Sequence, residues 1–272
     1  MQGRLSDVVD GVIQEFPWAS WRDEFSIANE IGVNTMEWTL DQKDLYLNPL
    51  MSKEGQKEIL RLSDQWCISI PSLTGDCFMQ YPFWKFQGQK QKKLLVDFES
   101  IVRACGALKL GIIVIPLVDN GRLENLDQEN ELVQILEKYT PLIKAMNLRI
   151  AFESDFPAEE LSRFIGRLES CVFGINYDIG NSAALGFIPD EEFSHYGQRV
   201  INVHVKDRPL GMTTVPLGLG DANFNSVFKN LAKYNYDGNY ILQTARDGEG
   251  KHSQVISKYL LQTKSWIEQH ES

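Results

Sequence analysis

The chain has 272 residues, of which 43% are hydrophobic and 24% charged, as is typical of a protein that buries a full core. Its formal net charge of −10 argues against nucleic acid as the main partner, because phosphate contacts need a basic surface. No apolar stretch approaches the roughly 18 residues that a membrane span needs, and the N-terminus lacks the apolar core of a signal peptide.

Short apolar runs alternate with longer amphipathic segments along the chain, which predicts strands separated by helices. Continuous apolar runs rich in β-branched residues are typical of strands that are buried on both faces. The predicted strands are Met1–Leu5, Thr35–Thr39, Ile68–Leu73, Gly111–Leu117, Arg149–Glu153, Phe173–Asp178, Val200–Val205 and Asn239–Thr244. The segment Met1–Leu5 is short, and it is included because a closed barrel requires an eighth strand.

The helices are predicted from apolar residues that recur with the helical period of 3.6. Between residues 127 and 146, for example, Leu132, Ile135, Leu136 and Tyr139 fall on one face. The predicted helices are Trp21–Ile31, Ser52–Gln65, Gln89–Ala107, Asp127–Met146, Ala158–Leu168, Asn223–Lys233 and Ser253–Glu268.

This order of elements predicts a (β/α)8 TIM barrel that spans residues 1–272 as a single domain. An open doubly wound sheet has the same alternation of strands and helices. We reject it because no Gly-x-Gly-x-x-Gly motif follows the first strand, and because of where the polar residues fall.

Polar residues stand where five of the predicted strands end, namely Glu37, Glu153, Asp178, His204 and Gln243. In a barrel these ends converge on one mouth, which is where such folds carry their active sites. Any single one of them could pair with a neighbouring lysine instead. Five of them in separate strands favour a functional site, since unpaired buried polar groups are costly.

Glu153, Asp178 and His204 combine two carboxylates with one imidazole. Hard oxygen ligands with one nitrogen ligand suit Mn²⁺, Mg²⁺, Co²⁺ or Zn²⁺. The sequence therefore predicts a divalent metal ion at these three residues, although no local spacing motif marks them.

Four cations are predicted at the same end of the barrel: Arg4, Lys206, Arg208 and Arg246. Each could be a solvated surface residue. Together they favour an anionic group on the substrate, because arginine pairs with phosphate or carboxylate through two hydrogen bonds.

Several segments, in this order along the chain, resemble the sugar phosphate isomerase/epimerase superfamily. They are Phe152-Glu153-Ser154-Asp155, Asn176-Tyr177-Asp178-Ile179-Gly180-Asn181, Val203-His204-Val205-Lys206-Asp207-Arg208, the Gly218-x-Gly220 loop and Tyr240-Ile241-Leu242-Gln243. That superfamily has a xylose isomerase-like TIM barrel and includes ketose 3-epimerases and inosose-processing enzymes.

The resemblance implies a divalent metal held by Glu153, Asp178, His204 and the residue at position 243. In the ketose 3-epimerases, position 243 and the position of Glu153 are both glutamates, which move the substrate proton on opposite faces. This chain departs from that pattern because position 243 is Gln243. An amide oxygen can coordinate a metal, but it cannot act as a general base.

These observations predict a metal-dependent isomerase or epimerase that acts on a sugar or a sugar-phosphate-like anion through a metal-stabilised enediolate. Glu153 is the predicted catalytic base, and Arg4, Glu37, Lys206, Arg208 and Arg246 are the predicted substrate-binding residues. A related lyase or dehydratase remains open, as does a silent sugar-binding barrel. A metal phosphodiesterase is less favoured, because only one histidine lies at a strand end.

The expected partner is a small, anionic carbohydrate, with neither nucleic acid nor membrane involved, and a homo-oligomer remains open. The cysteines Cys67, Cys77, Cys105 and Cys171 lie far apart without a Cys-x-x-Cys spacing. Reduced thiols are typical of the cytoplasm, so we expect a cytoplasmic protein.

Overall fold

The computed structural model of the chain describes residues 4–7, 15–248 and 250–270. Within them, seven parallel strands form one sheet in sequential order. They are β1 (Thr35–Thr39), β2 (Ser69–Thr74), β3 (Ile112–Leu117), β4 (Arg149–Ser154), β5 (Phe173–Asp178), β6 (Val200–Val205) and β7 (Asn239–Leu242).

Ten α-helices lie in the same described part of the chain, most of them as connections between consecutive strands. They are α1 (Asp23–Glu30), α2 (Lys53–Trp66), α3 (Asp76–Gln80), α4 (Gly88–Ala107), α5 (Leu126–Ala145), α6 (Ala158–Gly166), α7 (Ile179–Leu185), α8 (Pro189–Tyr196), α9 (Phe224–Lys233) and α10 (His252–His270). None of these described helices combines the length and the apolar character that would carry it across a membrane.

The sheet curves into a nearly closed barrel, in which the first and last strands approach each other. Every residue of β3, β5 and β6 is buried, because the core lies on one face and the helices cover the other. At the seam, Arg4 Nε donates a hydrogen bond to the Thr244 carbonyl oxygen at 3.0 Å. The predicted TIM barrel is confirmed. The predicted strand Met1–Leu5 begins in residues 1–3, which lie outside the described residues.

Three helices were not predicted from the sequence, namely α3, α7 and α8. Helix α7 contains Gly180, Asn181 and Ser182, which have low helix propensity. It begins there because the Asp178 carboxylate accepts a hydrogen bond from the backbone N–H of Asn181. Helix α8 does carry a signal, since Pro189 at its first position is followed by three acidic residues.

The strand register places the predicted site residues at the same height along the barrel axis. Pro116 pairs with Glu153, and Asp178 pairs with His204, at the carboxyl ends of adjacent strands. Because neighbouring strands are only about 4.8 Å apart, the side chains of Glu153, Asp178 and His204 can meet inside the barrel mouth.

Candidate active site

Glu153, Asp178 and His204 come together at the barrel mouth, and one ligand atom from each lies within 4.8 Å of the others. His204 Nδ1 is 3.2 Å from Glu153 Oε2 and 3.7 Å from Asp178 Oδ2. Two ligands bound at about 2.1 Å, with roughly 90–110° between them, would be about 3.0–3.4 Å apart. The Glu153–His204 pair has this spacing, the Asp178 oxygen lies slightly farther from His204, and the chemistry of the three donors suits a divalent cation.

The other ring nitrogen of His204, Nε2, contacts Glu37 on the side of the ring away from Glu153 and Asp178. His204 Nε2 lies 2.9 Å from Glu37 Oε1, and both side chains are fully buried. Ser72 Oγ and Asn202 Nδ2 donate to Glu37 Oε2 at 2.7 and 3.1 Å, and Thr74 Oγ1 donates to Glu37 Oε1. A carboxylate in this position fixes the orientation of a metal-binding imidazole and turns Nδ1, which also lies 3.1 Å from Asn176 Nδ2, toward Glu153 and Asp178.

The charges of this cluster shift its pKa values in opposite directions. Burial alone would lower the pKa of His204, but the charge of Glu37 and hydrogen bonds with Asp178 and Glu153 raise it well above its usual value. Burial alone would raise the pKa of Glu37, but the charge and hydrogen bond of His204, with hydrogen bonds from Thr74 and Ser72, lower it to about 2. The cluster thus holds a surplus of carboxylates, which favours a cation at its centre.

Two asparagines position the Glu153 carboxylate. Asn176 Nδ2 donates to Glu153 Oε2 at 2.9 Å, and Asn181 Nδ2 donates to Glu153 Oε1 at 2.7 Å. Asn176 in turn accepts a hydrogen bond from Asn202 Nδ2 at 2.8 Å. Because each oxygen of Glu153 accepts a hydrogen bond from a different asparagine, the side chain is held in one orientation.

Two of the predicted cations belong to the same network. Lys206 Nζ donates to Asp178 Oδ2 at 2.7 Å, and burial would raise the pKa of Asp178, but Lys206 and His204 hold it well below its usual range. Arg208 donates to the Met212 carbonyl at 2.8 Å and to Asn181 Oδ1 at 2.7 Å.

The site opens into a cavity of about 530 Å³ at the barrel mouth. The lining residues that bear on the chemistry are Asp76, Arg122, Glu153, Asn181, Lys206, Arg208 and Gln243. Gln243 follows β7 directly and is buried. The cavity has the size of a small-molecule site, and its polar groups converge from several strands.

The remaining predicted substrate residues lie elsewhere. Arg4 and Arg246 lie at the barrel seam, where Arg4 binds the Thr244 carbonyl and Arg246 Nη1 donates to the Ser6 carbonyl. Glu37 lies beneath His204, with both of its oxygens occupied by protein donors. A direct role of these three residues in substrate binding stays a prediction.

A loop beside the mouth is organised by Asp207, which is completely buried. Its Oδ2 accepts the backbone N–H groups of Gly218 and Gly220 at 2.7 and 2.9 Å, and its Oδ1 accepts that of Ala222 at 3.2 Å. Gly218 has φ +90°, and a side chain at Gly220 would collide with the Asp207 carboxylate. The two glycines therefore serve the turn around Asp207.

Sequence reasoning assigned no role to Asp76, Asn176, Asn181 or Asn202. For Asn176 and Asn202 a signal existed, because each stands two residues before a site residue on the same strand, and alternate residues share a face. Asn181 and Asp76 come from short helices that follow strands, and their approach to the mouth depends on how those helices start.

Comparisons with known proteins agree with this fold. The profile of the family described as xylose isomerase-like TIM barrel matches residues 25–266. An L-ribulose-5-phosphate 3-epimerase, UlaE, from Salmonella heidelberg is 24% identical over 237 residues, which cover 82% of this chain and 81% of the relative. A Haemophilus influenzae protein, SgbU, whose name gives the same activity provisionally, is 26% identical over 92% of this chain and 91% of its own length.

Solved structures share the fold at lower identity. The D-psicose 3-epimerase of Clostridium cellulolyticum H10, solved with D-tagatose, has a TM-score of 0.74 at 11% identity and covers 91% of this chain and 93% of its own. The IOLI protein, solved with a zinc atom, has a TM-score of 0.74 at 13% identity, with coverage of 92% and 94%. At these identities the likeness shows the barrel architecture alone.

Proposed function

The chain belongs to the family of xylose isomerase-like TIM barrels, and we propose that it is a divalent-metal-dependent epimerase of a small phosphorylated ketose. The observation that carries the proposal is the convergence of Glu153, Asp178 and His204 on one point, beside a cavity that Glu153, Lys206 and Arg208 line. Relatives named as L-ribulose-5-phosphate 3-epimerases support this substrate class.

The metal would be held by Glu153 Oε2, Asp178 Oδ2 and His204 Nδ1, with the Gln243 side chain as a further neutral ligand. When bound, it would supply a Lewis acid for adjacent oxygens of a hydroxy-ketone, at the position where negative charge develops. Glu37 would keep the His204 ring in place, because it holds Nε2 at 2.9 Å.

Glu153 is the proposed base that removes the proton from the carbon next to the carbonyl group. Its Oε2 faces His204, so Oε1 is the oxygen left to take the proton. Asn181 donates to that Oε1 at 2.7 Å, which orients it. Only 7% of Glu153 is exposed, so the base is held mainly by protein groups until a substrate enters the cavity.

Arg208 and Lys206 are the proposed contacts to the substrate anion. The guanidinium of Arg208 has five donor hydrogens, and its hydrogen bonds to Met212 and Asn181 use two of them. The others can bind phosphate oxygens in the fork geometry that suits arginine. Arg122 also lines the cavity, where it pairs with Asp155.

Glu153→Gln tests the proposal, because it keeps the shape of the side chain and removes the base. Wild-type protein loaded with Mn²⁺ would be given a panel of ketose 5-phosphates, and epimerisation would be followed by NMR. We expect Glu153→Gln to lose at least about 100-fold in kcat. The control is Glu129→Gln, an equally conservative substitution. Glu129 is a buried carboxylate that pairs with Arg163 and Arg167 outside the mouth. A fully active Glu153→Gln variant would overturn the proposal.

Gln243 favours a second candidate, a sugar-binding barrel without turnover, because the ketose 3-epimerases that the chain resembles carry a glutamate at this position. Calorimetry separates the two functions. Binding of a ketose phosphate without any turnover, by protein that contains metal, would support the silent barrel and contradict the enzyme.

A further inference from the structure

We propose that Asn181 is a positioning residue that couples anion binding at Arg208 to the orientation of the base, Glu153. This inference rests on the proposed function, since it concerns the same base and the same anion site. Its consequence is that the phosphate group of the substrate sets the base for proton transfer. A phosphorylated ketose should then react faster than its unphosphorylated form even when each saturates the enzyme.

The Asn181 side chain bridges the base and the proposed anion site. Its Nδ2 donates to Glu153 Oε1 at 2.7 Å, and its Oδ1 accepts from Arg208 Nη1, also at 2.7 Å. All three residues line the same cavity. Hydrogen bonds to charged groups are stronger than bonds between neutral partners. A change at Arg208 therefore reaches Glu153 through a single amide group.

The two charges fix which way the amide of Asn181 points. An amide accepts at its oxygen and donates at its nitrogen, whereas a guanidinium only donates and a carboxylate only accepts. Reversing the amide would place its nitrogen against Arg208 and its oxygen against Glu153, and both hydrogen bonds would be lost. The donor that orients Glu153 is thus held in place by Arg208 from the other end of the amide.

The start of α7 holds the backbone of Asn181 in this position. Asn181 N donates to Asp178 Oδ1 at 2.8 Å, which begins the helix beside a proposed metal ligand. Lys206 is the other cation nearby, and its Nζ lies 2.7 Å from Asp178 Oδ2 but 3.5 Å from Asn181 Oδ1. The charge of Lys206 therefore serves Asp178, and Arg208 is the cation that holds the Asn181 amide.

Arg208 can bind an anion while it keeps its contact with Asn181. Its Nε donates to the Met212 carbonyl at 2.8 Å, and its Nη1 donates to Asn181. The hydrogens left on Nη1 and Nη2 can bind phosphate oxygens. Arg208 stands in the loop after β6 and is partly exposed. A bound anion would therefore restrict its guanidinium and, through it, the Asn181 amide.

Asn176, the other asparagine that orients Glu153, has a different setting. Its hydrogen-bond partners among the described residues are all buried: Glu153 Oε2, His204 Nδ1 and Asn202. Asn176 therefore holds one oxygen of the base from inside the barrel, whereas Asn181 connects the other oxygen to a cation of the cavity. That other oxygen, Oε1, is the one proposed to take the proton.

Binding energy from a remote group of a substrate raises kcat when it is used to orient the reacting groups. A misplacement of about 1 Å near the reacting atoms can cost about 100-fold in rate. For Mn²⁺-loaded wild type we therefore expect kcat to be about 10- to 100-fold higher for a ketose 5-phosphate than for the same ketose without phosphate.

Asn181→Ala tests the coupling. The substitution keeps the backbone N–H that begins α7, and alanine favours a helix more than asparagine does. We expect the ratio of the two kcat values to fall to within about threefold of one, because the phosphate no longer reaches the base. Asn230→Ala is the control, since Asn230 is also a helical asparagine and binds Asp190 outside this cavity. It should keep the wild-type ratio.

Carbon-13 NMR of the metal-free protein measures the coupling without turnover. The side-chain carboxyl signal of Glu153 is assigned by its absence from Glu153→Gln. Inorganic phosphate should shift this signal in the wild type but not in Asn181→Ala. Calorimetry should give the two proteins a Kd for phosphate within about threefold of each other, because Arg208 is present in both.

A wild-type kcat ratio in Asn181→Ala, even with both kcat values lowered in parallel, would indicate a structural role and overturn the inference. So would equal kcat values of the wild type for the two ketoses. The inference also fails if phosphate does not shift the Glu153 signal of the wild type, or if the shift persists in Asn181→Ala. Failure of the proposed function is distinguishable, because the wild type would then epimerise neither ketose, while the NMR titration would still show whether Asn181 couples Arg208 to Glu153.

Discussion

Replacing Glu37 with glutamine tests whether the carboxylate beneath His204 sets the metal affinity of the site. The variant keeps the length and volume of the side chain, but it removes the negative charge at 2.9 Å from His204 Nε2. Ser72 and Thr74 can rotate their hydroxyl groups to suit an amide, so the cluster should stay packed. The expected consequence is weaker binding of a divalent ion at Nδ1, on the other side of the ring.

The magnitude follows from the distance between the carboxylate and the ion. The 2.9 Å contact, the width of the ring and one coordination bond add up to about 7 Å. At an effective dielectric of about 20, one negative charge and a divalent ion attract each other by about 5 kcal/mol before screening. The hydrogen bonds that Glu37 accepts spread its charge, so we expect the smaller effect typical of groups behind a ligand. That effect is about 10- to 100-fold in Kd, or about 1.4–2.7 kcal/mol.

Isothermal titration with Mn²⁺ at pH 7.5 measures this loss directly. Glu129→Gln serves as the control, because Glu129 and Glu37 are each only 2% exposed, while Glu129 pairs with Arg163 and Arg167 outside the site. Its Mn²⁺ affinity should equal that of the wild type even if its Tm falls. A Kd within threefold of the wild type in a folded Glu37→Gln variant would refute the role assigned to Glu37.

Four further predictions follow from the same contacts. Binding of Mn²⁺ at pH 7 should release about one proton, because the raised pKa of His204 keeps the metal-free imidazole charged. Calorimetry in buffers that differ in ionisation enthalpy measures this release, and a binding heat that is the same in all of them would contradict it. The lowered pKa of Glu37 adds stability that is present above about pH 4.5 and lost as the pH falls toward 2, so urea unfolding of the metal-free wild type should be more acid-sensitive than that of Glu37→Gln. Gln243→Glu should tighten Mn²⁺ and raise KM, since a carboxylate about 4 Å from an anionic substrate costs up to about 4 kcal/mol before screening; a gain in turnover would instead indicate a decayed two-carboxylate epimerase. Asp207→Ala leaves the backbone N–H groups of Gly218, Gly220 and Ala222 without their acceptor and should lower the Tm by roughly 5–10 °C in a thermal melt, whereas an unchanged Tm would show that the loop does not depend on it.

Local patterns determined the barrel and the core of the candidate site. The strands Thr35–Thr39, Phe173–Asp178 and Val200–Val205 occur with their predicted bounds, because a continuous buried run has few alternatives to a strand in a parallel sheet. Asp178 and His204 could be placed together for the same reason, since the carboxyl ends of parallel strands meet at one mouth.

The tertiary structure alone decided what each strand-end residue contacts. Glu37 and Glu153 look alike in the sequence, yet Glu37 is enclosed by hydrogen-bond donors beneath His204, whereas Glu153 lines the cavity. Arg246 follows a strand just as Lys206 does, but it turns to the barrel seam and binds a carbonyl group there. Periodicity determines which residues lie at the end of a strand. Which atoms then meet depends on register and on packing between segments that are far apart in the chain, as Glu37 and His204 are.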